Sequence, residues 1–180
     1  AMRLLSGATL GQDAPDPDWS AISAGPWLAE ALRGLRDPAA LAAIDPGPLL
    51  HAQLRPYQQE GLRWLHFLTR LGLGACLADD MGLGKTVQML ALCLYRAGEG
   101  PQLVVAPTSV AQNWLVETAR FAPSLTLRPY HQQRNLDNLG PNDLVVASYG
   151  LLQQDHAHFA AVPWRTVLLD EAQAIKNPAT

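Results

Sequence analysis

Cys76-Leu77-Ala78-Asp79-Asp80-Met81-Gly82-Leu83-Gly84-Lys85-Thr86-Val87-Gln88 decides how this sequence is read: a short apolar run breaks into a glycine-rich turn and restarts as a helix. That is the pattern of a phosphate-binding loop. Backbone N–H groups around Gly82 and Gly84 wrap an anion, and the helix behind them turns its positive N-terminus toward the same charge. Lys85 is then placed to reach the β- and γ-phosphates of a nucleotide, and the Thr86 hydroxyl to ligate a Mg²⁺ bridging those oxygens. The pattern Gly-x-x-x-x-Gly-Lys-Ser/Thr is not met in full, because its first position holds Asp79. The bland alternative is a turn between strand and helix with an incidental Lys-Thr. A dinucleotide fingerprint fits worse, since Val87 stands where its third glycine belongs.

Downstream of the loop, the helix that starts at Lys85 should be capped by Gly98. Short Val/Leu runs then recur at residues 103 to 106, 125 to 130, 144 to 147 and 166 to 169, and a helix running through Trp114 and Phe121 separates the first two. Continuous apolar strands alternating with helices predict an α/β fold with a largely parallel sheet covered on both faces. Ligands of such sheets gather at the carboxyl ends of the strands. Pro107-Thr108-Ser109, Ser148-Tyr149 and Asp170-Glu171 all fall at such ends. Val167-Leu168-Leu169-Asp170-Glu171 has the form of a Walker B segment, in which a buried strand delivers carboxylates at its tip. Asp170 would complete the Mg²⁺ shell and Glu171 would orient the attacking water.

Upstream of the loop, Leu54-Arg55-Pro56-Tyr57-Gln58 opens a helix with Pro56 in its first turn, and Gly72 supplies the stop. Tyr57, Leu65 and Leu68 share its apolar face, with Trp64 and Leu71 beside it. Gln58, an amide in the first turn, is suited to pair with both the donor and the acceptor edge of adenine. Before residue 51 lies an N-terminal extension, residues 1 to 50, irregular at first and then helical from Pro26. Pro46-Gly47-Pro48 marks its end.

Composition sets the bounds. With 48% apolar residues in 180, the chain is long enough for one well-buried domain plus an extension. No apolar run approaches the ~20 residues of a membrane span. Only Cys76 and Cys93 occur, which argues for two small buried hydrophobes in a reducing compartment, the cytoplasm, rather than a disulfide framework. The net charge of −3 lacks the footprint of an autonomous nucleic-acid binder, so such a role must rest on local contacts. His156-x-His158, the one close pair among the five histidines, points to two faces of a helix, so the two rings are expected to face solvent rather than share a metal ion. No Asn-Lys-x-Asp motif suggests a GTPase.

With both halves of the site quoted, residues 54 to 180 resemble the first RecA-like lobe of a superfamily-two helicase. The closest likeness is to the switch/sucrose-non-fermenting (SWI/SNF-type) group of chromatin-remodelling and DNA-translocating ATPases. Leu54-Arg55-Pro56-Tyr57-Gln58 is similar to that group's adenine-side motif. Residues 78 to 88 resemble its phosphate loop, in which an acidic residue is usual at the place of Asp79. The loop residues Asp79, Asp80, Met81, Gly82, Leu83, Gly84, Lys85 and Thr86 are thereby implied in ATP binding. Lys85, Asp170 and Glu171 are implied in catalysis, and Thr86 and Asp170 in holding Mg²⁺ through the nucleotide. Pro107, Thr108 and Ser109, with Asn113-Trp114, resemble a motif that touches the nucleic-acid backbone, and Ser148-Tyr149-Gly150 a second. Asp170-Glu171-Ala172-Gln173 with Ile175-Lys176-Asn177-Pro178 is similar to the group's acidic box and its tail, with Gln173 where many members carry His.

The alanine- and proline-rich flavour is more like a bacterial member, which would place the protein in the cytoplasm, at the nucleoid. The resemblance implies an ATPase coupled to movement on double-stranded DNA in a longer parent. Nothing in the chain resembles the later motifs of the first lobe. The second lobe, which in that group brings arginines to the γ-phosphate, has no counterpart, so residues 51 to 180 read as a lobe truncated after the acidic box. The competing expectation is a nucleotide-binding or protein-interaction module that does not hydrolyse ATP by itself.

Overall fold

The computed structural model describes residue 41, residues 44 to 80 and residues 82 to 175. Met81, the tail from Lys176 and nearly all of the N-terminal extension, with the helix expected from Pro26, lie outside these. Within the described residues the chain first makes a 3-10 turn at Gly47–Leu49, and Leu50 and Leu54 enter the core beside it.

Helix α1 (Pro56–Arg70) begins at the expected proline, whose fixed φ and missing N–H suit the first helical position. Its buried stripe is Gln58, Leu62, Leu65 and Leu68. Leu65 and Leu68 are buried as expected, but the stripe centres on the fully buried Leu62 and Tyr57 is 38% exposed, which corrects the expectation for Tyr57. A stripe centred on Leu62 carries Gln58 one turn earlier, and Tyr57 turns aside toward the phosphate loop. Gly72, at φ 72, ends the helix where expected.

Helix α2 (Lys85–Tyr95) follows the loop. Every residue from 90 to 94 is buried, so it reads as a helix enclosed nearly all round. It stops at Tyr95, before the expected Gly98, which instead closes a turn at φ 90 and donates its N–H to Pro141 O at 3.2 Å.

The four expected strands all form: β1 (Gln102–Ala106), β2 (Thr126–Pro129), β3 (Asp143–Ser148) and β4 (Thr166–Leu169). Between them run α3 (Thr108–Phe121), α4 (Tyr130–Gln133), α5 (Tyr149–Gln154) and α6 (His156–Ala160). The sheet is parallel throughout in the order β2-β3-β1-β4, with Val104 opposite both Val146 and Leu168. Alternation along the central strands divides the core. Val104, Ala106, Leu144 and Val146 face α1, α2 and Trp114 of α3, whereas Leu103, Val105, Val145 and Ala147 face Tyr130, Phe159 and Trp164. Helices therefore cover both faces, as the double-sided strands required.

Cys93 is wholly buried, and burial pushes its thiol up to about 12, which makes it an inert hydrophobe. Cys76, expected to be buried, is exposed in the unpaired stretch before the loop. His156 and His158 are both exposed, and the described residues contain no cluster able to hold a metal ion. No helix among them is long and apolar enough to cross a membrane.

Candidate functional site

The loop is shaped by two glycines in the left-handed region, Gly82 at φ 81 and Gly84 at φ 76. A Cβ on Gly84 would stand 2.5 Å from Nε2 of Gln58, so the first turn of α1 presses directly on the loop. Gln58 Nε2 donates to Leu83 O at 3.0 Å, and the Tyr57 hydroxyl donates to the same carbonyl at 3.0 Å. The other end of the Gln58 amide, Oε1, accepts from the Arg55 N–H at 2.8 Å and closes the helix N-terminus. Gln58 thus ties the loop to the N-terminus of α1, one end of its amide on each.

Asp79, at the position where the consensus has glycine, accepts on Oδ2 from Nε2 of Gln88 at 3.2 Å. Gln88 is fully buried on α2, and its Oε1 lies against Gly61 of α1, where a Cβ would stand inside contact distance. Lys85 Nζ donates to the carbonyls of Asp79 at 2.7 Å and Asp80 at 2.9 Å. None of the backbone N–H groups of residues 82 to 87 donates to an acceptor among the described residues. Those donors, with the N-terminal end of α2 behind them, are a fitting lining for an anion. A Cβ on Gly82 would meet nothing within 4 Å, so the loop faces open space there.

The other half of the site forms at the tip of β4. Asp170 continues the strand by donating its N–H to Val105 O at 2.8 Å. Its carboxylate accepts from Trp114 Nε1 on Oδ2 at 2.7 Å and from the Glu171 N–H on Oδ1 at 2.9 Å. The Tyr149 hydroxyl donates to the Asp170 carbonyl at 2.8 Å. Burial first, and then the Asp170 and Glu171 carboxylates, raise the Tyr149 phenol above its usual range, so it stays a donor. Glu171 itself adopts φ 49, a left-handed conformation that costs a non-glycine residue and collects at functional sites. The Gln173 side chain donates to Glu171 Oε2 and so touches the second carboxylate.

The packing puts both halves on one edge of the sheet. The end of α2 lies by the strand starts, because Gln102 Nε2 donates to Cys93 O at 2.9 Å and Arg96 donates to Arg165 O at 3.2 Å. The start of α2, with the loop, is therefore at the carboxyl edge, where β4 delivers Asp170 and Glu171. No hydrogen bond joins the loop to the acidic pair among the described residues. Carboxylate, hydroxyl and phosphate oxygens are the donors that Mg²⁺ favours, so Thr86 and Asp170 fit that ion in chemistry.

Of the residues read as nucleic-acid contacts, Thr108 and Ser109 are exposed beside half-buried Pro107 at the start of α3. Ser148 and Tyr149 are half-buried and committed within the chain, since Ser148 Oγ accepts from Leu151 N at 3.3 Å and caps α5. Sequence reasoning missed the parts played by Gln88 and Trp114. Each carried a signal: Gln88 is an amide in an otherwise apolar helix, and a buried indole N–H needs an acceptor.

Fold and strand-tip arrangement together define a RecA-like lobe of the P-loop class. The SNF2-related domain model matches residues 57–180, and the chain belongs to that family. It is 46% identical over 143 residues to YwqA of Bacillus subtilis, named as an ATP-dependent helicase/translocase, across 74% of this chain and 16% of that protein. Helicase SWR1 of Debaryomyces hansenii is 44% identical over 142 residues, across 72% of this chain and 9% of that one. Among solved structures, the Sulfolobus solfataricus SWI2/SNF2 ATPase core in complex with dsDNA superposes with a TM-score of 0.71 at 40% identity. That match covers 78% of this chain and 30% of the archaeal one. The chain thus spans no more than 16% of the length of these two sequence relatives.

Proposed function

We propose that the chain is the ATP-binding part of a DNA-dependent ATPase that couples hydrolysis to movement on double-stranded DNA in a longer parent protein. The observation that supports this best is the meeting, at one sheet edge, of Lys85 and a loop whose N–H groups from residue 82 to 87 meet no acceptor among the described residues with a strand tip bearing Asp170 and Glu171. In this reading the residues from Asp79 to Thr86 cradle the triphosphate, and Lys85 leaves the two carbonyls it now contacts to meet the β- and γ-phosphates. Gln58 borders the adenine. Thr86 and Asp170 would hold Mg²⁺, which would supply positive charge to offset that of the phosphates. Glu171 orients the water that attacks the γ-phosphate.

Pro107, Thr108, Ser109, Ser148 and Tyr149 form the side turned to the DNA backbone; duplex DNA as the partner is supported by the archaeal core, solved in complex with dsDNA. Such a protein works in the cytoplasm, at the nucleoid if bacterial. Taken by itself the chain is a nucleotide-binding module, because every group named acts from one side of the phosphate.

Calorimetric titration with Mg²⁺ and a non-hydrolysable ATP analogue tests the reading. Lys85→Ala should weaken binding about ten-fold or more, the loss expected of a charge-assisted contact to phosphate. Equal affinity for variant and unaltered chain would remove Lys85 from the site.

A further inference from the structure

We propose that Trp114 is the positioning residue of the Asp170 carboxylate, and that with Tyr149 it ties the segments after β1 and β3 to that carboxylate. The inference rests on the reading of Asp170 as a metal-holding group. Trp114 lies on the second turn of α3, on the face of the sheet that carries α1 and α2, and is 3% exposed. Its indole offers one donor and no acceptor, and in an apolar core that donor has no water to fall back on. It is spent on Asp170 Oδ2 at 2.7 Å. Tyr149 packs with the cluster on the opposite face and donates to the Asp170 carbonyl at 2.8 Å.

Asp170 is therefore held at its N–H by Val105 O, at its carbonyl by Tyr149, at Oδ1 by the Glu171 N–H and at Oδ2 by Trp114. Two bonds, one to each carboxylate oxygen, fix the plane of the group and leave each oxygen a further lone pair for a ligand. Phenylalanine at 114 would fill the same space without the donor, and the carboxylate would turn about its own Cβ–Cγ bond. The geometry also gives the bonds a direction of influence. Trp114 is carried by the helix that starts at Thr108, and Tyr149 directly follows Ser148, so both are anchored in the two segments read as facing DNA. A displacement of either segment moves a donor relative to Asp170.

The test compares the unaltered chain with Trp114→Phe and with a chain carrying 3-benzothienylalanine at 114, which exchanges the indole N–H for sulfur and keeps the ring shape. Affinity for a non-hydrolysable ATP analogue is measured with Mg²⁺ and with a chelator. In parallel, the indole N–H resonances are followed by nuclear magnetic resonance. Both variants should lose about ten-fold of the gain in affinity that Mg²⁺ brings, the scale of one hydrogen bond to a charged group, while metal-free affinity stays put. The indole resonance missing from Trp114→Phe should shift in Asp170→Ala. If Trp114→Phe fails to fold, the sulfur isostere decides. An unchanged Mg²⁺-dependent gain in the isostere, or an indole resonance that ignores Asp170→Ala, overturns the proposal. Asp170→Asn with its Mg²⁺-dependent gain intact, or no analogue binding by the unaltered chain, overturns the site reading itself and the proposal with it.

Discussion

Asp79 shows at the residue scale why a consensus position can change without loss of the loop. Glycine there serves a tight turn, whereas Asp79 accepts from buried Gln88 and leaves its carbonyl to Lys85, so the side chain fastens the loop to α2. Gly84 has no such latitude. At φ 76, with Gln58 Nε2 2.5 Å from the site of a Cβ, Gly84→Ala combines backbone strain with a clash. We expect about 1 to 3 kcal/mol of lost stability, read as a lower urea midpoint, together with weaker analogue binding. An alanine variant that matched the unaltered chain in both would show that the loop relaxes freely. Glu171→Gln keeps the size of the side chain and removes the carboxylate proposed to orient water. In the complete parent it should retain nucleotide affinity and lose turnover by about 10²-fold to 10⁴-fold in a phosphate-release assay. Unchanged turnover would take Glu171 out of the chemistry.

At the scale of elements, the pairing of α1 with α2 positions the loop, since Gln58 grips it from one helix and Gln88 from the other. Gly61 allows that pairing by leaving room for the Gln88 amide. Toward the far end of the same pair, His66 of α1 meets Tyr95 of α2 edge to face at 4.8 Å. Burial, then Arg70 and Arg96, lower its proton affinity from the usual 6.5, with Glu99 opposing. The unfolded chain therefore binds the proton more readily, and the contribution of neutral His66 is whole above about pH 6.5 and fades as pH falls toward the lowered folded value. The urea midpoint should drop between about pH 7.5 and about pH 5.5, and by less in His66→Phe, which keeps the ring contact without the titration. An identical drop in both proteins would assign the acid sensitivity to other groups.

For the molecule as a whole, the function proposed above has all the named groups act on the triphosphate from one side. An arginine finger from the other side is worth ~10³ to ~10⁵ in rate in P-loop enzymes. The 180-residue chain should accordingly bind Mg-ATP weakly and turn it over negligibly, with no stimulation by a long duplex. Its net charge of −3 supplies no general attraction to phosphate backbones, so DNA binding should be weak as well. Steady-state phosphate release with and without duplex checks this, and robust DNA-stimulated turnover by the monomeric chain would contradict it.

Apart from the short helices at Tyr130–Gln133, Tyr149–Gln154 and His156–Ala160, which were not legible in it, the sequence by itself determined the four strands, the helix through Trp114 and Phe121, the covered parallel sheet and the placing of the polar clusters at strand ends. These follow from local pattern: apolar runs too short for helices, punctuated by Gly and Pro, state their own element and leave few topologies open. The positions of Lys85, Asp170 and Glu171 at element boundaries were legible for the same reason. Only the tertiary structure decided that the buried stripe of α1 runs from Leu65 and Leu68 through Leu62 to Gln58 and leaves Tyr57 out, since the choice depends on what α2 presents. It also decided the partners. Gln58 to Leu83, Gln88 to Asp79 and Trp114 to Asp170 join residues from different elements, and a hydrogen bond of that kind depends on distance and direction, which no spacing along one chain records.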